Sequence, residues 1–326
     1  MSDGSVIGPS KSGWSDSCYD WSQSQFRSKP KPLFWPDETL SAPMDRHIDH
    51  RATRLAVILG TNEIASAVAA HMHRAAYCVV LSHDSNPPVM RRKMSFHDAL
   101  FEDVARLENL TAERVEDSLE IFKALRGPDR ILVTWLGLLD LLPVRQIDVL
   151  VDARMQKHTI TPDLRGITRL SVGLGPGFST AANCDIAIET RPGRSGLIVL
   201  DGWTDPSDGV ARTLGDAGAE RFVYSPFAGR WHTAVEIGTR VYKDFVIGHL
   251  TGVAVTAPRD GILRGVVRDG SDVPAGIKLL EVDPRGRLAQ WTGMDERGQA
   301  VAQATLAAIE QYATTRTPHR TRHEAS

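Results

Sequence analysis

An apolar strand, a short turn and a helix follow one another directly after residue 54, and this succession constrains the fold more than any other feature. The sequence LAVIL at 55–59 predicts a buried strand, GTNE at 60–63 a tight turn, and residues 64–75 an amphipathic helix. CVVL at 78–81 predicts a second strand. Strand, helix and strand in this order indicate the opening βαβ unit of a Rossmann-type parallel sheet.

Further units of the same kind extend the predicted α/β domain over residues 54–220. We expect a helix at 112–125 and strands at 130–135, 147–151 and 167–172. The longest apolar run, at 131–142, contains Asp140 and is too short to span a bilayer, so we expect it to form buried core.

The two ends of the chain differ in composition from this domain. Residues 1–53 are rich in Ser, Pro and Lys, which predicts a disordered arm. The arm carries aromatic residues that suit docking on this chain or on a partner, namely Trp14, Trp21, Phe26, Phe34 and Trp35. We expect a C-terminal helix at 285–313 and a disordered tail at 314–326.

Charge and cysteine content argue against several classes of function. Lys and Arg (38) nearly balance Asp and Glu (40), and the net charge of −2 predicts neither a nucleic-acid nor a membrane partner. No signal peptide is visible, so a cytoplasmic location is expected. The three cysteines lack CxxC spacing, which argues against a disulfide framework and a cysteine zinc site.

A glycine-rich turn follows the predicted strand at 167–172. It contains Gly173, Gly175 and Gly177, with Pro176 between the last two and Phe178 after them. Glycines allow positive φ angles and close backbone approach, and successive N–H groups in such turns can bind an anion. The turn therefore predicts a phosphate or carboxylate site, and the alternative is a tight connection between strands with no ligand.

A nucleotide site is suggested at the first βα turn by Gly60, Asn62 and Glu63. Asn62 stands where a dinucleotide fingerprint has its middle glycine; it tolerates the left-handed region, but its side chain would crowd a pyrophosphate. Asp84, after the second strand, is the candidate for binding ribose hydroxyls.

Three more groups are candidate site residues. Asp152 and Arg154 follow a predicted strand, with Lys157 just beyond, and either bind a ligand or form an internal ion-pair network. Arg91 and Arg92 form either a clamp for an anionic group or a solvated basic pair. Cys184 is either a thiol activated near the glycine turn or a small buried side chain.

Residues 221–284 contain an internal repeat. SPFAG at 225–229 is echoed 32 positions later by APRDG at 257–261, and EIG at 236–238 by RDG at 268–270. Two interlocking halves of a small β structure are therefore expected. The pattern resembles the barrel-sandwich hybrid of biotinyl and lipoyl carrier domains. Because the joining segment at 246–256 has no lysine, covalent biotin or lipoate is not expected, although His249 could act at the tip of that hairpin.

Six segments in order resemble the selenium-dependent molybdenum hydroxylase accessory family, which is related to the xanthine dehydrogenase accessory factors. They are GTNEIAS at 60–66, MRRKMSF at 90–96, VDAR at 151–154, GLGPGF at 173–178, IET at 188–190 and EVDPRG at 281–286. The resemblance runs from about Arg54 to about Tyr312. It implies a maturation protein that binds an anionic cofactor-type ligand, either a nucleotide or a molybdopterin-type molecule, and contacts a client hydroxylase or another enzyme subunit.

The chain departs from the family at the first turn, at His83 where an acid is usual, and at RPGR in 191–194 where the family tends toward Arg-Gly-His. These departures leave two other functions open. One is an NAD(P)-dependent oxidoreductase that uses the Rossmann unit, and the other is a subunit or docking scaffold without a ligand.

Overall fold

The computed structural model describes residues 54–84, 87–126, 130–157 and 160–316. The predicted arm at 1–53 and most of the predicted tail lie outside these ranges. Residues 314–316 of that tail are helical, because the last helix continues to Arg316. Within the described ranges, each helix is too short or too polar to cross a lipid bilayer.

A nine-stranded, mostly parallel sheet forms the first part of the chain, so the protein is of the mixed α/β class. Its strands are β1 (Arg54–Leu59), β2 (Tyr77–Ser82), β3 (Val104–Leu107), β4 (Leu110–Arg114), β5 (Ile131–Thr134), β6 (Val149–Asp152), β7 (Ser171–Leu174), β8 (Ile186–Ile188) and β9 (Ile198–Val199). Their order is β3-β4-β5-β2-β1-β6-β7-β8-β9. Only β3 and β9 run antiparallel to their neighbours.

The helices of the described chain flank and follow this sheet. They are α1 (Glu63–Arg74), α2 (Ala99–Glu102), α3 (Ser118–Ala124), α4 (Leu138–Leu141) and α5 (Glu296–Arg316), with 3-10 turns at Arg92–Met94, Ala219–Arg221 and Gly286–Leu288. Small side chains let α1 pack closely against the sheet and against α5, and its buried residues include Ala65, Ala69 and Met72.

The helix predicted at 112–125 is wrong over its first half. Residues 110–114 form β4, which pairs with β5 in parallel through Ala112 and Ile131, and the helix α3 begins only after Asp117. Asp117 caps α3 by accepting a hydrogen bond from the N–H of Glu120. Pairing with a distant strand overrides the local helix propensity of this segment.

The run at 131–142, expected to be buried, is continuously buried only as far as Thr134, and Leu141 is buried again in the short helix that follows. Beyond the strand, the side chain of Trp135 is 48% exposed and that of Leu139 is 82% exposed. These residues belong to the loop and short helix at the carboxyl end of β5 rather than to the core.

Two four-stranded antiparallel sheets follow in the chain. Their strands are β10 (Phe222–Tyr224), β11 (Gly229–His232), β12 (Arg240–Val241), β13 (Val246–Leu250), β14 (Val253–Thr256), β15 (Gly261–Val266), β16 (Asp272–Val273) and β17 (Lys278–Asp283). One sheet has the order β10-β17-β15-β12 and the other β14-β13-β11-β16.

The 32-residue repeat is confirmed at the level of strands. The first strands of the two copies begin at Gly229 and Gly261, and the next strands begin at Arg240 and Asp272. Each copy lends its second strand to the other, because β12 pairs with β15 and β16 pairs with β11. The two halves interlock as expected, around the fully buried Trp231.

The position predicted for His249 is wrong. His249 lies within β13, paired with Ala254, and the hairpin turns at Thr251 and Gly252, which have φ angles of +48° and +82°. Two consecutive positive φ angles are typical of a two-residue hairpin turn, so the tip exposes a hydroxyl and no imidazole.

Candidate functional site

A cleft of about 120 Å³ lies at the carboxyl ends of the central parallel strands. It is lined by Leu59, Ser82, His83, Asp84, Gly137, Leu138 and Arg154. The chain runs from β1 to β2 and β5 on one side of the sheet and to β6 on the other, so the strand order reverses next to β1. Ligands of open α/β sheets bind at such a reversal, beyond the carboxyl ends of the strands.

Asp84 and Arg154 line this cleft, and Arg154 also binds the buried Asp152. Arg154 donates to Asp152 from Nε at 3.0 Å and from Nη2 at 2.6 Å, and its Nη1 lies 3.6 Å from Oδ2 of Asp84. Gln156 donates to the same Oδ2 at 2.8 Å. The bond to Asp152 raises the pKa of Arg154. The structure therefore contains the internal ion-pair network that was one of the two alternatives for these residues. In it, one guanidinium group faces two carboxylates.

A second cluster at the same edge contains two histidines that share one hydroxyl. Oγ1 of Thr61 lies 3.2 Å from Nδ1 of His83 and 2.9 Å from Nδ1 of His97. Edge-on aromatic contacts hold both imidazoles, His83 against Trp135 at 4.7 Å and His97 against Phe101 at 5.5 Å between ring centroids. Thr61 and His97 are buried, whereas His83 lines the cleft.

Burial lowers the pKa of both histidines. The pKa of His97 falls to about 3, because its site is desolvated and the cations Arg92 and Arg268 lie near it. Burial also lowers the pKa of His83, and the charge of Asp84 opposes this effect. Both rings are therefore neutral at pH 7, and His83 is the one that the solvent and a ligand can reach.

Sequence reasoning missed most of this cluster. His83 was noted only as a departure from the family, and neither Thr61 nor His97 was a candidate. The signal for His83 and Thr61 was their position directly after strands. No sequence signal marks His97, which reaches the cluster through the segment between β2 and α2.

The first βα turn is closed by its own side chain. Asn62 has an extended backbone (φ −71°, ψ −179°) and its Oδ1 accepts hydrogen bonds from the N–H groups of Ile64 and Ala65. The left-handed conformation expected for Asn62 is therefore wrong; Gly60, with φ +107°, provides the positive φ angle. Asn62 satisfies the helix N–H groups that a pyrophosphate would otherwise use.

We expect Asn62→Ala to lower the free energy of unfolding by about 0.5–2 kcal/mol, because α1 loses its cap. Its Nδ2 also donates to the carbonyl of Ala153 at 2.7 Å, so the variant loosens the contact between α1 and the end of β6. Urea denaturation followed by circular dichroism measures the change. Gln303→Ala, on the exposed face of α5, is the matched control, and equal stability of the two variants would contradict the capping role.

Arg91 and Arg92 are engaged in internal ion pairs rather than presented to a ligand. Arg91 donates to Glu63 at 3.0 Å and to Glu281 at 2.8 Å, and Arg92 binds both oxygens of Asp98. Both expectations for this pair are corrected, since it is neither a free clamp nor solvated. Because Arg91 binds both Glu63 in the first turn and Glu281 on β17, it connects these two parts of the chain.

Packing explains the glycine-rich turn. A Cβ on Gly173 would lie 2.0 Å from the ring of Phe178, and one on Gly175 would lie 3.1 Å from Sδ of Met155. The N–H groups of Gly175 and Phe178 already donate to Ile188 and Thr204, and a Cβ on Gly177 would lie 3.2 Å from Thr161. The N–H groups of Gly175 and Phe178 are therefore not available to bind an anion. The structure gives no support to the anion-binding prediction at these two residues.

Cys184 packs as a small buried side chain. It contacts the cluster that contains Phe178 and Ala187, and burial raises the pKa of its thiol to about 12. The thiol is protonated at pH 7, so the activated-thiol alternative is wrong. Glu189, at the end of the same strand region, accepts hydrogen bonds from the backbone N–H groups of Thr190, Arg191 and Asp205.

Fold and cleft together define an α/β protein with a polar site at the carboxyl edge of its parallel strands. The chain is similar to the uncharacterized protein YqeB of Escherichia coli (strain K12), with 30% identity over 261 residues. The match covers 78% of this chain and 47% of YqeB, so the chain spans about half the length of that relative. No protein-family model and no solved structure match the chain.

Proposed function

We propose that this chain is an accessory protein for a molybdenum hydroxylase, and that it binds a cofactor-type ligand in the cleft and contacts a client enzyme. The observation that carries the proposal is how the six segments of the family resemblance meet in the structure. Arg154, from the third segment, lines the cleft, and Thr61, from the first, lies within hydrogen-bond distance of the cleft residue His83. Residues of the others pack in pairs, Arg91 on Glu281 and Gly175 beside Thr190.

The finer fold assignment belongs to the same proposal. We infer a Rossmann-type sheet from the strand order β5-β2-β1-β6-β7-β8. If the hairpin of β3 and β4 at the edge is left out, the first parallel strand of the chain lies between the second and the fourth. The interlocked repeat supports a barrel-sandwich hybrid for the second part. Both assignments agree with the family resemblance.

Charge indicates how such a ligand would lie. Asp84 and His83 offer partners for hydroxyl and ring N–H groups, and the excess of carboxylates disfavours an anion at the bottom of the cleft. Lys157 is exposed one residue after Gln156, and Lys278 lies on β17. Burial and nearby cations, Lys157 among them, lower the pKa of Lys278 to about 8, and neither lysine forms an ion pair among the described residues. The anionic portion of the ligand would lie toward these two ammonium groups.

Exposed apolar side chains on the second part suit the contact with a client. Tyr242, Phe245 and Val253 are half exposed or more, and Val253 belongs to the edge strand β14. The same surface favours the docking scaffold as a second candidate function. The scaffold differs from the accessory protein in needing no ligand in the cleft.

Complementation in cells separates these functions. In a host that carries this protein and a molybdenum hydroxylase, we expect deletion of the protein to abolish hydroxylase activity. We expect the wild-type chain and Asp272→Asn to restore that activity and Asp84→Asn to fail. Asp272 is the control because its side chain is 80% exposed, far from the cleft residues in sequence. Restoration by Asp84→Asn would favour the scaffold, and unchanged hydroxylase activity without any form of the chain would overturn the proposal.

Native mass spectrometry of the purified full chain adds a direct measurement. We expect a retained small molecule on the wild-type protein that is lost from Asp84→Asn. Saturable binding of NADH, measured by its fluorescence, would instead favour the oxidoreductase. The cap that Asn62 forms on the first turn argues against that function.

A further inference from the structure

We propose that His83 is an acid–base group of the cleft, that Thr61 and His97 are positioning residues which set its tautomer, and that the cleft takes a ligand with an exchangeable proton on oxygen or nitrogen. This inference rests on the proposed function only in placing a ligand in the cleft. The arrangement of the three side chains stands on its own geometry.

The hydroxyl of Thr61 links the two rings because it has one proton to donate. It lies within hydrogen-bond distance of Nδ1 on both His83 and His97. If it donates to one Nδ1, that nitrogen must be unprotonated, and the other Nδ1 must carry a proton to donate back to the oxygen. The oxygen could accept from both rings only if its own proton went to a third acceptor, and within the described ranges the Thr61 hydroxyl bonds only these two nitrogens. The two neutral histidines are therefore held in opposite tautomers.

The two distances indicate which ring donates. Hydroxyl donors form shorter hydrogen bonds than N–H donors, so 2.9 Å to His97 suits donation by Thr61, and 3.2 Å to His83 suits donation by the ring. Nδ1 of His97 then accepts from Thr61, and the proton of this buried, neutral ring lies on Nε2. His83 must then carry its proton on Nδ1 and donate to Thr61.

This tautomer leaves Nε2 of His83 as a base. His83 lines the cleft with Asp84 and Arg154, and within the described ranges the hydrogen bonding of its ring involves Nδ1 alone. Trp135 packs edge-on against the ring and limits its rotation. Nε2 is therefore the nitrogen left for a ligand.

The proton transfer balances without any other reactant. A ligand O–H or N–H gives its proton to Nε2, the ligand keeps the electron pair of the broken bond, and His83 becomes an imidazolium that still donates from Nδ1 to Thr61. Asp84 faces the new charge and stabilises it. Return of the proton from Nε2 restores the starting state, so the group serves as base and then as acid.

Nuclear magnetic resonance of the full chain labelled with ¹⁵N in its 11 histidines tests the tautomers. Long-range ¹H–¹⁵N spectra distinguish the two neutral forms, and His83→Gln and His97→Gln assign the signals. We expect His83 as the Nδ1–H form with protonation below pH 6.5, and His97 as the Nε2–H form without protonation down to pH 5. An Nε2–H form for His83 in the wild-type protein would overturn the proposal.

Variants of Thr61 test the positioning role. We expect Thr61→Val to move His83 to the Nε2–H form and Thr61→Ser to keep the Nδ1–H form. An unchanged tautomer in a folded Thr61→Val protein would contradict the role of the hydroxyl. If that variant does not fold, the wild-type tautomers and Thr61→Ser still decide the question.

Complementation keeps this inference distinguishable from the proposed function. If Asp84→Asn fails to restore hydroxylase activity while His83→Gln restores it fully, the ligand site stands and the acid–base role is wrong. If both variants restore the activity, the ligand site is wrong as well. We expect both variants to fail.

Discussion

Glu281→Ala should lower the free energy of unfolding by about 3–5 kcal/mol, the range for breaking a buried ion pair from one side. The side chain of Glu281 is fully buried and accepts hydrogen bonds from Nε of Arg91 at 2.8 Å and Nε of Arg221 at 3.0 Å. Its removal leaves two buried guanidinium groups without their shared carboxylate. Arg91 and Glu281 also join the segment after β2 to β17, so the variant weakens the contact between the sheet and the second part.

The contribution of Glu281 to the free energy of unfolding should decrease as the pH falls. The guanidinium groups lower its pKa from 4.5 to about 2, despite the opposing effect of burial. A lowered folded-state pKa stabilises the protein above the unfolded value, and this stabilisation is lost as the pH falls from about 4.5 toward 2. The stability difference between wild type and variant should therefore be full at pH 7 and decrease below pH 4.5.

Urea denaturation of both proteins at pH 7 and at pH 3.5 measures these effects. Glu310→Ala is the matched control, since Glu310 is exposed on α5 and forms no ion pair among the described residues. A loss below 1 kcal/mol at pH 7, or a difference that grows as the pH falls, would contradict the role given to Glu281.

Trp231→Ala should also cost about 3–5 kcal/mol, because it empties the core of the interlocked β structure. The ring is fully buried and its Nε1 donates to the carbonyl of Val267 at 3.0 Å. Gly248 provides the space for it, since a Cβ there would lie 2.6 Å from the ring. The variant therefore creates a cavity and leaves a buried carbonyl without its donor.

The matched control is Trp203→Ala, whose side chain is 60% exposed and whose loss should change stability by no more than about 0.5 kcal/mol. Denaturation followed by near-ultraviolet circular dichroism reports on the packing around Trp231. Equal stabilities for the two tryptophan variants would show that the β structure does not depend on this ring.

Strands with a strong local pattern were predicted well from the sequence. The strand at 55–59, the helix at 64–75 and the strand at 78–81 match β1, α1 and β2 within one residue at each end. Residues 112–114 were predicted as part of a helix, because their strand conformation comes from pairing with β5, more than fifteen residues away. Propensity is local, and this pairing is not.

The candidate site was predicted only in part. Asp84, Asp152 and Arg154 follow strands of one parallel sheet, and such positions gather at one edge whatever the details of packing. A pair of adjacent arginines such as Arg91 and Arg92 is also what an exposed anion clamp would contain. In the structure these two side chains instead bind Glu281 and Asp98. A buried ion pair and a ligand clamp use the same residue types, and only burial distinguishes them.

The sequence by itself determined the succession of strands and helices, the interlocked 32-residue repeat and the sheet edge at which polar side chains collect, because periodicity, repetition and strand ends are properties of neighbouring residues. Only the tertiary structure decided that Thr61 brings His83 and His97 together, that Asn62 closes the first turn, and that the glycine-rich turn packs against Phe178 and Met155. These contacts join segments far apart in the chain, and their energies depend on burial and distance, which the order of residues does not specify.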